Sequence, residues 1–499
     1  MKIAPWLVLG SVALLAAGQS SAQLRVASWN VTNYSGGRVS EFQTAIYGVF
    51  EGRSMAPDVF VGQEFLSAAG VAAFKALLNS APGSPGDWEA APFIDGPDTD
   101  SAFFYRTSRV QFLGQTIVSV GGPAPQPPRH TMRYDVIPVG YSDEASACSL
   151  YSVHMKSGTA SADSARRLLE AQRIRDNAQA LPARRQFMMC GDTNIQSSSS
   201  TPYVELVGSQ TDNRGRFFDP INTPGTWNNN RAFRFVHTQD PAVQMDDRHD
   251  QIIVSAGLID GDGLDYIGNP LIPYSTTTWN DPNHSYRSWG NDGSTFDQIM
   301  RTTGNAMVGE AIATALVASA NGLGHLPVFL DLRVAPEVGA PAIIDFGDVA
   351  FGSFAARTLT VSNAADVSKW GLGGIAGLGY SLSTTGPFAV PAGPFAAPAG
   401  GSNNHTVTLD TATPGFFESA LLILSNSPDE PQRTVVLRAR VLVPPCPADF
   451  NHDGYLDFFD FDDFVAAFES GDPAADFNTD GYVDFFDFDD FVTAFEAGC

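Results

Sequence analysis

The run Phe187-Met188-Met189-Cys190-Gly191-Asp192-Thr193-Asn194 decides the fold of this chain. Its apolar half reads as a buried strand, which stops on a glycine and three polar side chains. Polar residues that end apolar strands gather at one sheet edge, where sites in α/β folds lie. The same pattern recurs on both sides of it. Leu24–Trp29 is a strand closing on Ser28-Trp29-Asn30, and Val59–Gly62 runs into Gln63-Glu64. Leu150–His154 ends at His154, with Lys156 just beyond; Asp250 opens Gln251–Ser255, and His325 opens Leu326–Leu332. Ala102–Tyr105 adds a further strand. Gly70–Leu78 and the Ala-, Leu- and Arg-rich Ala165–Ala180 read as helices. The pattern predicts a mixed α/β unit over residues 23–333.

A chain of 499 residues has room for two or three domains with real cores. Residues 1–22 read as a secretory signal peptide: Lys2, an apolar stretch from Trp6 to Ala17, then small Ser20 and Ala22 before Gln23. That stretch is short for a bilayer, and no other long apolar run follows, so no membrane span is expected. A secreted or surface-associated protein is the expectation.

The net charge of −25 is uneven. Residues 446–499 hold 15 acidic residues and no Lys or Arg, which concentrates the acidity where metal-ligand chemistry is expected. Residues 24–333 hold 31 acidic and 23 basic residues, a balance that argues weakly against a nucleic-acid substrate. Cys446 and Cys499 bracket the tail, and export would permit a disulfide between them. Cys148 and Cys190 sit in strand-like runs, where a second disulfide and two buried free thiols are both open readings.

Residues 335–443 are nearly neutral and rich in Gly, Ala, Pro and Ser. Thr358–Ser362, Thr406–Leu409, Ala420–Ser425 and Arg433–Val441 read as strands at β-sandwich spacing. Val443-Pro444-Pro445 is a stiff linker into the tail. The tail repeats itself after 27 residues: Asp449, Asn451, Asp453, Tyr455, Asp457 and Asp460 match Asp476, Asn478, Asp480, Tyr482, Asp484 and Asp487. Oxygen ligands at loop positions 1, 3, 5, 9 and 12, a backbone carbonyl at 7, and Gly454 or Gly481 at position 6 are what a Ca²⁺ loop needs. Two calcium ions are expected. The Phe stripe Phe458, Phe459, Phe461, Phe464 and Phe468 has helical spacing and is read as core plus part of a docking face.

Six motifs, W-N, Q-E, H-x-K, G-D-x-N, R-x-D-x-I and H-L-P-V, stand in one order over about 310 residues. In that order they resemble the endonuclease/exonuclease/phosphatase family, which includes deoxyribonuclease I. The resemblance implies a two-sheet α/β sandwich and metal-dependent hydrolysis of phosphate esters. Phosphodiesters are anionic and resist water, so hydrolysis calls for a cation, an oriented water and a stabilised leaving oxygen. By resemblance, Glu64 holds Mg²⁺ or Mn²⁺ and Asn30 supports it. Asp192 and Asn194 orient water and phosphate, and Asp250 pairs with His325. His154 lies near the leaving group, with Asp98 or Asp100 as its partner, and Arg129 binds phosphate. Asp297, in a run that mimics the one at Asp250, is the competing partner for His325. His130, His237, His249 and His284 are expected on the surface or in loops.

One position departs from the family. Gly324 stands in Leu323-Gly324-His325-Leu326-Pro327 where the family has Asp. Two readings follow: an exported phosphodiesterase, first of all a nuclease, or a surface binding protein that keeps the fold without turnover. A phosphomonoesterase or phospholipase is the alternative within enzymes. The tail resembles a Cys-bracketed type I dockerin, which implies calcium-dependent docking to a cohesin-like or cell-surface partner. Ile344–Val349 with Thr358–Asn363 resembles an immunoglobulin-like spacer of exported bacterial proteins.

Overall fold

The computed structural model describes residues 23–443 and 446–498. The expected signal peptide, Pro444-Pro445 and Cys499 lie outside the described residues. The first unit begins with β1 (Leu24–Tyr34), α1 (Val39–Tyr47), β2 (Val59–Phe65), α2 (Ala68–Ser80), β3 (Trp88–Ala90) and β4 (Asp100–Arg106). It continues through β5 (Val110–Ser119), β6 (Thr131–Pro138), β7 (Cys148–His154), α3 (Ser161–Gln179), β8 (Gln186–Asp192), α4 (Thr201–Val207) and β9 (Phe217–Phe218). It closes with β10 (Asp250–Ser255), β11 (Asp265–Tyr266), β12 (Arg287–Ser288), α5 (Gly309–Ser319) and β13 (Val328–Arg333).

Two sheets form. One has the order β11-β13-β1-β2-β4-β3 with β12 on β13, and the other β5-β6-β7-β8-β10-β9. Alternation along each strand gives every sheet two buried faces. Val26, Val59, Val61 and Phe103 meet Met132, Tyr134, Leu150, Met188 and Ile252 between the sheets. The opposite face of the first sheet, including Ala27, Trp29 and Phe60, packs on α1, α2 and α5. Tyr151, Val153 and Met189 of the second sheet pack on α3 and α4. The result is a four-layer α/β sandwich. The strands and helices expected from apolar periodicity are present; β5, β6, α1 and α5 were not anticipated.

Register sets the site. β1 and β2 are parallel with Asn30 opposite Gln63, and β7 and β8 are parallel with His154 opposite Asp192. β10 is antiparallel to β8 with Asp250 opposite Asp192, and β13 is antiparallel to β1. Of these six strands, four end and two begin at one edge of the sandwich.

Residues 338–441 form a second sandwich of β14 (Val338–Gly339), β15 (Ile343–Val349), β16 (Ala355–Asn363), β17 (Leu378–Thr384), β18 (Phe388–Ala389), β19 (Phe395–Ala397), β20 (Ser402–Leu409), β21 (Gly415–Ser425) and β22 (Gln432–Val441), with the short α6 (Val367–Trp370). Four of these strands form one sheet and five the other, around their own core. This sandwich is docked on the base of the first unit, away from the edge where the polar strand ends meet. Trp370 is 1% exposed and belongs to the first unit's core. The Arg109 guanidinium lies 4.4 Å over its ring, donates to the Lys369 carbonyl, and reaches the buried Asp58 carboxylate at 3.0 Å. The Tyr141 hydroxyl donates to the Ala335 carbonyl at 2.5 Å, and Asp429 accepts the Ser142 and Asp143 amides.

The tail carries α7 (Phe458–Ser470) and α8 (Phe485–Ala497). Phe464 and Phe491 stack at 3.8 Å between ring centroids, and both are fully buried. Asp457 and Asp484 cap the helices through capping boxes with Asp460 and Asp487. Cys446 is disulfide-bonded, and Cys148 and Cys190 are buried free thiols. Among the described residues no helix is long and apolar enough to cross a membrane.

Candidate active site

Seven of the residues singled out from sequence meet at the strand edge. Asn30 Nδ2 donates to Glu64 Oε1 at 2.9 Å and lies 3.3 Å from Asp192 Oδ2. The Asn33 amide donates to the other oxygen of Glu64 at 2.8 Å. His154 Nε2 is 3.3 Å from Asp192 Oδ2, and His325 Nε2 is 3.6 Å from the same oxygen. His325 Nδ1 is 2.7 Å from Asp250 Oδ2. Asp192 Oδ1 accepts the Asn194 amide at 3.0 Å, and Asn194 Nδ2 donates to the Met155 carbonyl at 3.1 Å.

The backbone is strained where it presents these groups. Glu64 (φ 63) and Asn194 (φ 49) are both left-handed. Non-glycine residues adopt this conformation only when their surroundings enforce it, and such positions cluster at functional sites. At Glu64 the strand register breaks between Gly62 and Phe65, so the carboxylate leaves the pleat and turns to Asn30 and Asn33.

The electrostatics separate the two histidines. Burial pulls His325 down, but Asp250, Asp192 and Glu64 outweigh it and raise the ring to about 10. His325 is an imidazolium at neutral pH. Burial and the nearby Arg129 push His154 down to about 3, so it is neutral. Glu64, Asp192 and Asp250 around a single imidazolium leave an excess of acceptor oxygens, which suits a divalent cation. Among the described residues no three His, Cys, Asp or Glu side chains are gathered tightly enough to hold an ion by themselves. Mg²⁺ and Mn²⁺ sites commonly use one or two carboxylates and leave the rest to water and phosphate, so Glu64 fits the role of principal ligand.

Arg129 lies beside the site rather than in it. It donates to the Thr99 hydroxyl at 3.0 Å and the His154 carbonyl at 3.4 Å, and pairs with Asp98 at 3.0 Å. The expected partnership of His154 with Asp98 or Asp100 is corrected: Asp98 is taken by Arg129, and the carboxylates facing the His154 ring are Asp192 at 3.3 Å and Glu64 at 3.6 Å. Asp297 is bonded to Gln244, not to His325. Lys156 pairs with Asp163 outside the cluster at 3.3 Å. His237, His249 and His284 are in loops as expected but are 0%, 6% and 3% exposed. His237 and His284 meet the carbonyls of Trp227 and Ile272.

Two groups escaped the sequence reading. The Thr238 hydroxyl, fully buried, donates at 2.7 Å to the same Asp250 oxygen that meets His325. The Asn33 amide is a backbone donor. Thr238 lies in a loop with no periodic signal, and a backbone N–H leaves none at all.

Gly324 adopts φ +63, and a Cβ built on it would lie 2.4 Å from the Ala320 carbonyl oxygen. Only glycine fits this path between α5 and His325. The Gly324 carbonyl accepts the Asp240 amide at 2.9 Å.

In the tail, Asp449, Asn451, Asp453 and Asp460 turn side-chain oxygens onto loop amides, and the second loop repeats the pattern residue for residue. Gly454 and Gly481 take φ 89 and 90. Oxygen is the donor atom Ca²⁺ prefers, although among the described residues of the tail no three acidic side chains are gathered tightly enough to hold an ion.

No family model matches the chain, and no curated protein matches it. Solved structures do align with it. An endonuclease/exonuclease/phosphatase family protein from Bacteroides thetaiotaomicron is 17% identical, covers 62% of this chain and 94% of its own, with a TM-score of 0.35. D. rerio TDP2 in complex with a single-strand DNA product is 15% identical, covers 62% and 99%, with a TM-score of 0.35. An endonuclease/exonuclease/phosphatase from Beutenbergia cavernae is 13% identical and covers 83% and 100%, again with a TM-score of 0.35.

Proposed function

We propose that the first unit is a metal-dependent phosphodiesterase of the endonuclease/exonuclease/phosphatase type, with nucleic acid as its first candidate substrate. The observation that carries this reading is Asp192 Oδ2, set 3.3 Å from one histidine and 3.6 Å from another, with Glu64 anchored alongside. One carboxylate between a neutral ring and a cationic ring can orient a water and pass on its proton.

Asp192 accepts the proton of the attacking water, and Asn194 and Asn30 hold the carboxylate in place. His325, kept protonated by Asp250, Asp192 and Glu64, places positive charge where the phosphoryl oxygens gain negative charge. The phosphorus–oxygen bond opposite the attacking water breaks, and neutral His154 donates a hydrogen bond to the departing oxygen, which takes its proton from solvent. Mg²⁺ or Mn²⁺ held by Glu64 would supply Lewis acidity to the phosphoryl oxygen. Arg129, anchored through Asp98 and Thr99, borders the phosphate with its remaining donor capacity.

The tail reads as a dockerin-like module that takes two Ca²⁺ ions, and the second sandwich as an immunoglobulin-like unit. Together with the signal-like N-terminus they make an exported, docked enzyme. The supporting observation for docking is the repeated set of exposed aromatics: Tyr455, Phe458 and Phe459 at 73%, 70% and 66%, and Tyr482, Phe485 and Phe486 at 74%, 71% and 66%. A cohesin-like or cell-surface partner would cover them.

The test is hydrolysis by the chain from residue 23 onward, offered plasmid DNA, RNA, bis-p-nitrophenyl phosphate and a phosphomonoester. Cleavage of diesters that needs metal and is lost in Asp192→Asn supports the reading. Cleavage of the monoester alone moves the assignment to a phosphomonoesterase.

A further inference from the structure

The turn after β1 is bent into a conformation that side-chain-bearing residues avoid. Thr32, Asn33 and Arg38 have φ 52, 47 and 48, with Gly36 and Gly37 also positive. This turn has a use. The Thr32 amide donates to Asn30 Oδ1 at 3.1 Å, and the Asn33 amide holds Glu64 at 2.8 Å. The segment before His325 is strained in the same way, with Asn321 at φ 52 and Gly324 at φ 63. His325 is fixed at its carbonyl by the buried Trp29 indole, 2.9 Å away.

One side chain touches both segments. Arg38 donates to the Thr32 carbonyl at 2.8 Å and to the Ser319 carbonyl, the last residue of α5, at 2.6 Å. Its guanidinium lies 5.5 Å over Tyr34 and 5.1 Å over Phe42. The planar fork makes two bonds in divergent directions while its face rests on aromatic rings, which a lysine cannot reproduce. A cation at the C-terminus of a helix is also favoured by the helix dipole.

We infer that Arg38 is a positioning residue that braces the Glu64-holding turn against the helix end leading to His325. The two halves of the site, one offering a carboxylate to a cation and the other an imidazolium to the phosphate, are thereby kept at a fixed separation. Arg38 touches neither substrate nor cation in this role. The inference rests on the proposed function only for its catalytic consequence; the brace itself is a structural claim.

The experiment uses the chain from residue 23 onward, with Arg38→Met and Arg38→Lys. Amide hydrogen exchange is read over residues 30–38 and 319–326, with 148–154 as reference. The expected result is exchange faster by about tenfold in both segments for Arg38→Met, an intermediate value for Arg38→Lys, and an unchanged reference segment. Mn²⁺ binding measured by calorimetry should weaken by about tenfold. With bis-p-nitrophenyl phosphate, kcat should fall about tenfold with KM nearly unchanged, and free guanidinium should restore part of it. Unchanged exchange in either segment, or kcat loss that guanidinium does not recover, overturns the brace. If Arg38→Met does not fold, Arg38→Lys carries the same readings. Faster exchange in both segments from a chain that hydrolyses no ester would keep the brace and remove the proposed function instead.

Discussion

His325 Nδ1 lies 2.7 Å from Asp250 Oδ2, and the Thr238 hydroxyl donates to that same oxygen at 2.7 Å. One carboxylate oxygen thus receives two donors, and Asp250 fixes both the orientation and the charge of the imidazole. Asp250→Asn keeps the shape but not the charge. It should cut kcat by roughly 10²–10⁴-fold, the usual scale for disabling an acid–base partner. Thr238→Val should cost less, about tenfold. Equal losses in the two variants would mean that the hydroxyl, not the charge, governs the ring.

The raised His325 also makes a stability prediction. Its folded value is about 10, above the ordinary 6.5. A group shifted upward contributes stability that is fully present below pH 6.5 and is lost as pH rises through 10. The stability gap between the native chain and His325→Gln should therefore be constant below pH 6.5 and narrow steadily between pH 7 and pH 10. A gap that widens over that interval would contradict the charge assignment. Urea unfolding at a series of pH values reads it directly.

Gly324 invites the opposite of repair. Placing Asp there puts a Cβ 2.4 Å from the Ala320 carbonyl at φ +63. Gly324→Asp should lose at least about 1–2 kcal/mol, with lower activity. A gain in rate would show that the loop before His325 takes another path.

Trp370 is the seam between the sandwiches. Truncating a fully buried tryptophan costs about 3–5 kcal/mol. Trp370→Ala should lower the unfolding temperature of the first unit, seen by calorimetry, although the residue lies beyond it in sequence. An unfolding peak for the first unit that does not move would mean that the two sandwiches fold independently.

The tail should bind two Ca²⁺ ions per chain by calorimetry. Asp453→Ala and Asp480→Ala should each remove one. Chelation should reduce helix content in the tail while leaving hydrolysis of a small diester intact, because the site is in another unit. A chain that keeps its tail helices in full after chelation would refute the calcium reading.

The strand ends were legible because burial writes itself into sequence as apolar runs, and the polar residue that closes each run stands out. Asn30, Glu64, His154, Asp192, Asp250 and His325 were visible for that reason. β5 and β6 were not, since they lack the continuous apolar run that marked the other strands, and the loop 120–130 between them is rich in Pro and Gly. Thr238, Arg38 and the Asn33 amide act through loop backbone, where no period exists. His237, His249 and His284 lie in loops as expected, but their burial was not legible for a related cause: a loop residue in a large α/β fold can be covered by the next loop. The docking of the second sandwich was also illegible, because Trp370 looks like any loop aromatic until Arg109 and Asp58 are seen beneath it.

The central claim is that the strand-edge cluster hydrolyses phosphodiesters with a divalent cation. The most direct measurement is bis-p-nitrophenyl phosphate hydrolysis by the chain from residue 23 onward, in Mg²⁺, Mn²⁺ or EDTA, beside His325→Ala and Glu64→Ala. The expected result is turnover that requires the cation and falls by at least about 10²-fold in each variant. Turnover that survives both substitutions, or none under any cation, would contradict it.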